Sequence, residues 1–310
     1  MSAAREAVLA PPSVLRRVAD GVHVFEQAPG GWCLNSAGLV LGVGGAAVVI
    51  DTAATEARAR RLRSEVEELA PAGADFVVNT HFHGDHVFGN AVFAPRATVV
   101  AGAVTRSDMA EAGLGLRGLW PGVDWGELGL VLPDLTFSGE LTLRSGDLTV
   151  RLIQVGPAHT ADDTVAWVPE RRVLFTGDVA WSGVTPYVLM GSVEGSLQAL
   201  ARLRALDPVT VVPGHGPVGG PEVLDATEAY LRWIRELAQH GIRDGRTPLE
   251  TARAAEPGPF ARLIDGERLV GNLHRAYAEL QGLPPGARID VAGSFREMID
   301  FHGGLPACHA

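Results

Sequence analysis

The sequence predicts an α/β protein built as a layered αββα sandwich with a helical C-terminal extension. Three observations carry this. Short apolar runs rich in Val and Ile, bounded by Gly, Pro and Asp, recur up to about residue 216. They fall into two successive β-rich halves with helices interspersed, the signature of two packed sheets flanked by helices. From about residue 219 the pattern turns helical. The boundaries that follow are 1–218 for the sandwich and 219–310 for an extension packed on the same domain.

Taken in order, GVHVFEQA (21–28) and GLVLGVGGAAVVID (38–51) read as strands, the second stretch a pair joined by a Gly-Gly turn at 44–45. Residues 55–69 read as a helix with Leu62, Val66 and Leu69 at core spacing. Its Arg61/Glu65 and Arg63/Glu67 are spaced to pair along a solvated face. DFVVNT (75–80) is a short buried strand. A strand at 97–101, a helix at 102–112 and the loop GLWPGVDWGE (118–127) close the first half. Strands are predicted at 130–137, 147–155, 163–168, 172–176 and 209–212, with a helix at 195–206. Helices are predicted at 221–240, 248–255 and 267–281, the last with Leu269, Leu273, Tyr277 and Leu280 on one face.

The bulk composition excludes several functions. The net charge of -10 disfavours a nucleic-acid partner. All 26 basic residues are arginine, so a Schiff-base lysine, a lysine general base and a P-loop are unavailable. Cys33 and Cys308 lie far apart without metal-type neighbours and read as reduced thiols used as small hydrophobes. The first residues, MSAAREAVLAPPSVLRR, lack the apolar stretch of an export signal, and no apolar run approaches a membrane span. The expectation is a cytoplasmic protein without membrane contact.

The chemistry concentrates in THFHGDH (80–86), directly after a predicted strand. Alternate side chains of an extended segment point the same way, so His81 and His83 can grip one ion. Asp85 and His86 follow where the chain turns and can face a second ion. Further candidates close later strands: His159 in GPAHT, Asp178 in FTGD and His215 in VVPGHG. Each follows an apolar run and sits beside Gly or Pro that permits a tight loop. Imidazole and carboxylate together suit zinc, with iron and manganese as alternatives. Burying the 81–86 cluster without a metal would leave donors and charge unpaired. His23, His240, His274, His302 and His309 read as ordinary surface or core histidines.

THFHGDH, GPAHT, FTGD and PGHG, in this order, resemble the metallo-β-lactamase fold superfamily. The resemblance covers at least residues 20–216. It implies an αββα sandwich with two zinc ions at one edge, one held by His81, His83 and His159, the other by Asp85, His86 and His215. It further implies that Asp178 bridges the two and that Asp51, at the end of VVIDT, supports the ligands from behind. A histidine at position 83 departs from the glutamate expected of oxygen-reducing di-iron members, and Asp178 departs from the cysteine often found in zinc β-lactamases. The thioester- and lactone-hydrolysing members remain. Beyond the metal motifs, FEQAPGGWCLNSAG (25–38), LWPGVDWGE (119–127), SGVTPYVLMGSVEGSL (182–197) and GGLPAC (303–308) resemble the aromatic polyketide second-ring cyclase/thioesterases of the actinorhodin type.

That likeness implies a polyketide held by a thioester on an acyl carrier protein. A further ring closes by aldol condensation and hydrolysis then releases the chain. Asp85 and Asp178 are the carboxylates expected to act in catalysis. Without lysine, an imine route is closed and metal-enolate chemistry is the natural alternative. The pocket should be apolar and shaped for flat rings, with Trp32, Phe88, Trp120, Trp125, Trp181, Tyr187 and Met190 as its candidate wall. Asn35 and Asn90 are candidate donors to substrate oxygens, with a turn or capping role as the alternative. A general binuclear thioesterase or lactonase, such as a hydroxyacylglutathione hydrolase, shares every metal ligand. A non-catalytic metal-bearing scaffold is the reading from a different class.

Overall fold

The structure is a computed structural model describing residues 13–94 and 96–310. Most of the N-terminal stretch read for an export signal lies outside the described residues. Two sheets stack face to face with helices on both outer sides.

The first sheet has seven strands in chain order: β1 (Val14–Ala19), β2 (Val22–Glu26), β3 (Ala37–Val40), β4 (Val48–Ile50), β5 (Phe76–Val78), β6 (Thr98–Gly102) and β7 (Leu135–Phe137). β1 to β4 pair antiparallel and β4 to β7 pair parallel. Helix α1 (Glu56–Leu69) makes the crossover from β4 to β5, as a parallel pair requires. The second sheet runs β12-β11-β10-β9-β8. Its strands are β8 (Glu140–Ser145), β9 (Leu148–Gln154), β10 (Thr164–Val168), β11 (Val173–Phe175) and β12 (Thr210–Val212).

Strand alternation makes the layers. Val48 and Ile50 point between the sheets, where they meet Leu152, Ala166 and Phe175, while Val49 points outward to Leu62 and Val66 of α1. On β10, Ala166 and Val168 face the first sheet. Val165 and Trp167 face the outer helices. Those helices are α5 (Val193–Arg204), α6 (Glu222–Arg243), α7 (Pro248–Ala254), α8 (Arg268–Leu280) and α9 (Val291–His302). Three further helices lie on the first-sheet side: α2 (Gly84–Val87), α3 (Asn90–Phe93) and α4 (Ala103–Ala112). One apolar cluster joins Leu174 of the second sheet to Leu231, Leu273 and Met298 of α6, α8 and α9, so the C-terminal helices share a core with the sandwich.

Several expectations need correction. The strand expected over 130–137 is only Leu135–Phe137. Pro133, just before this edge strand, has no N–H to give a ladder, and Leu130 is exposed. Strands β1 and β8 and helix α9 extend the predicted set. Leu69 and Leu280, placed on core faces by spacing, are 44% and 41% exposed, each being the last residue of its helix. The expected pairs on α1 form, Arg61–Glu65 at 2.6 Å and Arg63–Glu67 at 2.7 Å, but the face is not fully solvated, because Glu65 is buried and also accepts from Leu15 N. Among the described residues no helix is long and apolar enough to cross a membrane.

Candidate metal centre

Seven side chains from four strand ends meet at one edge of the sandwich. β5 ends at Val78 and delivers His81 and His83; α2 carries Asp85 and His86. The loop after β9 brings His159, the turn after β11 brings Asp178, and the loop after β12 brings His215. Two of the turns work only with glycine. A Cβ on Gly214 would lie 1.9 Å from Asp178 Oδ1, and Gly177, at φ +49°, would push a Cβ to 2.6 Å from Thr80 Oγ1.

The donor atoms fall into two groups, each within 4.8 Å: His81, His83, His159 and Asp178, and Asp85, His86 and His215. Asp178 reaches both. Its Oδ2 is 3.3 Å from His159 Nε2 and 3.6 Å from His215 Nε2, and its Oδ1 is 3.2 Å from His86 Nε2. Asp85 Oδ2 is 3.2 Å from His215 Nε2.

The outward hydrogen bonds fix which nitrogens face inward. His86 Nδ1 donates to Asp51 Oδ2 at 2.9 Å. Thr80 Oγ1 donates to Asp51 Oδ2 at 2.7 Å and so accepts from His81 Nδ1 at 3.0 Å. His159 Nδ1 donates to the Tyr187 carbonyl, and His215 Nδ1 to the Gly30 carbonyl at 3.0 Å. Each of these four rings therefore turns a bare Nε2 inward. His83 is reversed, with Nδ1 3.2 Å from His81 Nε2 and 2.8 Å from His159 Nε2.

The outward bonds fix bare Nε2 atoms on His81 and His159, whereas His83 Nε2 has no partner, leaving its Nδ1 free to give a lone pair to a cation or an N–H to His159. Tetrahedral zinc with bonds of about 2.0–2.1 Å sets its nitrogens roughly 3.3 Å apart, which the His81/His83/His159 trio approaches. His86 Nε2 and Asp178 Oδ1 are buried without a hydrogen-bond partner. The donor set thus fits a pair of divalent ions.

The electrostatics agree. Burial holds His83 down to about 3 and His81 well below the usual histidine range, so both rings are neutral. Burial works against a charged His86 too, but Asp178, Asp51 and Asp85 around it lift it well above its ordinary value. In the metal-free protein this ring therefore holds a proton on Nε2, which a cation bound there would displace. Asp178 is ionised despite burial, because His215, His86 and His159 hold it well below the carboxylate range.

A cavity of about 600 Å³ opens on these donors, touching His83, Asp85, His159, Asp178 and His215. Of the candidate wall, Trp32, Trp181, Tyr187 and Met190 line it. Trp181 lies flat on His215, with ring centroids 4.8 Å apart and planes at 12°. Trp120 does not reach the cavity; it backs Trp32 at 5.4 Å. Four more expectations are corrected. Asn35 is fully buried and spends its amide on the Thr52 carbonyl at 2.8 Å, and Asn90 pairs with Asn79 at 2.8 Å, so neither faces substrate. Phe88 and Trp125 pack on each other at 6.2 Å, away from the donors.

The C-terminal helices supply the wall that sequence reasoning missed: Arg268, Val291, Phe295, Arg296 and Ile299, with Leu305 beyond α9. Arg268 is 1% exposed, its guanidinium 4.1 Å above Trp32 and 4.8 Å from Trp181, anchored by Asp265 at 2.8 Å. A readable signal existed for α9. Phe295 and Met298 recur at helical spacing between a capping Asp290 and a left-handed Gly303.

A family model described as the metallo-beta-lactamase superfamily matches residues 30–215. The chain belongs to the metallo-beta-lactamase superfamily, and its fold and donor set are those of a metal-dependent hydrolase. It is 25% identical over 255 residues to a linear primary-alkylsulfatase from a Pseudomonas species, covering 68% of this chain and 48% of that protein. It is 35% identical over 138 residues to a hydroxyacylglutathione hydrolase from Methylococcus capsulatus, covering 44% and 45%. The chain thus spans about half the length of these curated relatives. A solved metallo-beta-lactamase from Pontibacter korlensis superposes with a TM-score of 0.60 at 23% identity, over 71% of this chain and 99% of that one, a likeness of fold.

Proposed function

We propose that this hydrolase is a polyketide cyclase/thioesterase. It closes a further ring of an aromatic polyketide intermediate by intramolecular aldol condensation, then hydrolyses the thioester to an acyl carrier protein. The observation that carries this reading is the cavity. It is about 600 Å³, walled by Trp32, Trp181, Tyr187 and Phe295, and open directly onto the donor cluster. Flat faces of this kind suit an acyl group built of fused rings and bury it away from water.

In this reading His81, His83 and His159 hold one ion, Asp85, His86 and His215 the second, and Asp178 reaches both. Two zinc ions there supply Lewis acidity and an activated water at neutral pH. Asp85, at the cavity surface, takes the acidic proton from the carbon between two carbonyls. The aromatic wall folds the chain so that this carbon meets a ketone, and it excludes solvent water until the ring has closed.

A second reading, hydrolysis of a hydroxyacylglutathione thioester, is favoured by the 35% identity to a hydrolase of that name. The apolar wall weighs against a small charged thiol. The test offers zinc-loaded protein a bicyclic polyketone thioester on a pantetheine arm and, separately, a hydroxyacylglutathione. Loss of water together with thiol release from the first supports the cyclase/thioesterase. Thiol release without ring closure, or preference for the glutathione thioester, overturns it in favour of the plain thioesterase.

A further inference from the structure

The two cysteines, at opposite ends of the sequence, are neighbours in the fold. The segment after α9 returns to the rim of the metal cavity, where Leu305 forms part of the wall. Two hydrogen bonds anchor it. Trp120 Nε1 donates to the Pro306 carbonyl at 2.7 Å, and Arg58 Nη2 donates to the His309 carbonyl at 2.8 Å. Cys308 lies between these anchors and packs against the apolar cluster that contains Cys33.

Cys33 sits in the loop between β2 and β3, at a left-handed φ of 63°, and also lines the cavity. It is 2% exposed, whereas Cys308 is half-buried; both are free thiols. Contact with the Cys308 side chain is the first cause of the upward shift of the Cys33 thiol, and the same contact draws Cys308 down. The reading of two unrelated small hydrophobes misses this pairing, because nothing in the spacing indicates it.

We propose that Cys33 and Cys308 form a redox-modified dithiol, which a low-molecular-weight disulfide oxidises to fasten the C-terminal segment at the rim of the metal cavity. The more accessible Cys308 attacks first. Its thiolate displaces one thiolate from the disulfide and forms a mixed disulfide. Cys33 then loses its proton and attacks the Cys308 sulfur, expelling the second thiolate. Two protein thiols are oxidised, one external disulfide is reduced to two thiols, and the protons pass to the departing thiolates. The bond joins Leu305 and Pro306 to the loop that carries Trp32 and Asn35. Asn35 bridges to His215 through the backbone, so the fastened segment is coupled to the cavity wall and to a ligand loop. Reversible cysteine pairs of this kind act as sensors in reducing compartments.

The test incubates folded, zinc-loaded protein with oxidised glutathione, traps remaining thiols by alkylation and reads intact mass and peptides. The wild type should lose the mass of two hydrogens and yield one cross-linked peptide containing Cys33 and Cys308, reversed by dithiothreitol. C33S should instead accumulate glutathione on Cys308, and C308S should take up none, because its remaining thiol is buried. Metal content and circular dichroism of each variant establish that it is folded. Two results overturn the proposal. One is wild-type protein that carries glutathione on Cys308 without the cross-link. The other is protein in which both thiols remain alkylatable. The readout does not depend on which thioester the enzyme uses.

Discussion

Replacing Asp51 by asparagine changes one oxygen to nitrogen and tests how the ligand rings are held. Asp51 is 2% exposed and accepts three hydrogen bonds. Thr80 N donates to Oδ1 at 2.8 Å, while Thr80 Oγ1 and His86 Nδ1 donate to Oδ2 at 2.7 and 2.9 Å. An amide has one acceptor oxygen. If it faces Oδ2's partners, the NH2 meets the Thr80 N–H; if it faces Thr80 N, the NH2 meets a hydroxyl and an imidazole N–H. Either orientation sets donor against donor. Avoiding the clash means moving the His86 proton to Nε2, the atom that must face the ion. Loss of such a supporting contact costs about 10–100-fold in metal affinity, equivalent to about 1.4–2.8 kcal/mol. The lost charge-assisted bond removes a further ~1.5–3 kcal/mol of stability. Chelator competition with zinc measures the first, and urea unfolding of the metal-free protein the second. Wild-type zinc affinity in D51N would refute the claim that Asp51 sets the His86 tautomer.

Four further outcomes are expected. His83→Ala should lose one ion by mass spectrometry and abolish hydrolysis of the proposed thioester substrate, since the reversed Nδ1 at 2.8 Å from His159 Nε2 has no substitute; full metal content would sink the ligand assignment. Gly214→Ala should displace Asp178, because the new Cβ would lie 1.9 Å from its Oδ1, giving lower metal content and about 1–3 kcal/mol of destabilisation in urea. Arg268→Met leaves Asp265 without its 2.8 Å partner and removes the cation between two indoles, so unfolding free energy should fall by roughly 3–5 kcal/mol. Metal-free protein should weaken as pH falls below ~6.5. His81 and His83 are held neutral in the fold, with His83 at about 3, and so would take up protons only on unfolding. His86 is raised, so its contribution grows as pH falls toward ~6.5, offsetting part of the loss there, and is nearly complete below ~6. Between pH ~6 and ~5, where the His86 contribution has nearly levelled off, the loss should be about 2 kcal/mol by urea titration; a flat profile there would contradict the burial of these rings in neutral form.

How far this fold and site could be read in advance depends on the range of the contacts that make them. His81 comes just after the strand run of β5, and His159, Asp178 and His215 follow apolar runs with Gly or Pro close by, so local sequence announces where these four leave the sheet edge. The aromatic wall was legible only in part. Trp32, Trp181, Tyr187 and Met190 and their misassigned companions Asn35, Phe88, Asn90, Trp120 and Trp125 sit in similar loops and short helical turns. What separates them is the side of the loop on which each side chain emerges, and partners far along the chain decide that. Asn35 turns inward because the Thr52 carbonyl meets it there, and Asn90 because Asn79 offers a matched amide.

The remaining wall was invisible for a stronger form of the same reason. Arg268 reads locally as a charged residue at the start of a helix, where exposure is the default. It is instead buried between Trp32 and Trp181, because α8 packs across the cavity and Asp265 supplies the counter-charge within the same turn. A solvated arginine could leave those indoles to collapse on each other. A buried, anchored one spaces them and keeps Trp181 flat on His215. The C-terminal helices are thus part of the site: they hold open the apolar chamber that the ligand loops alone would leave as an exposed edge.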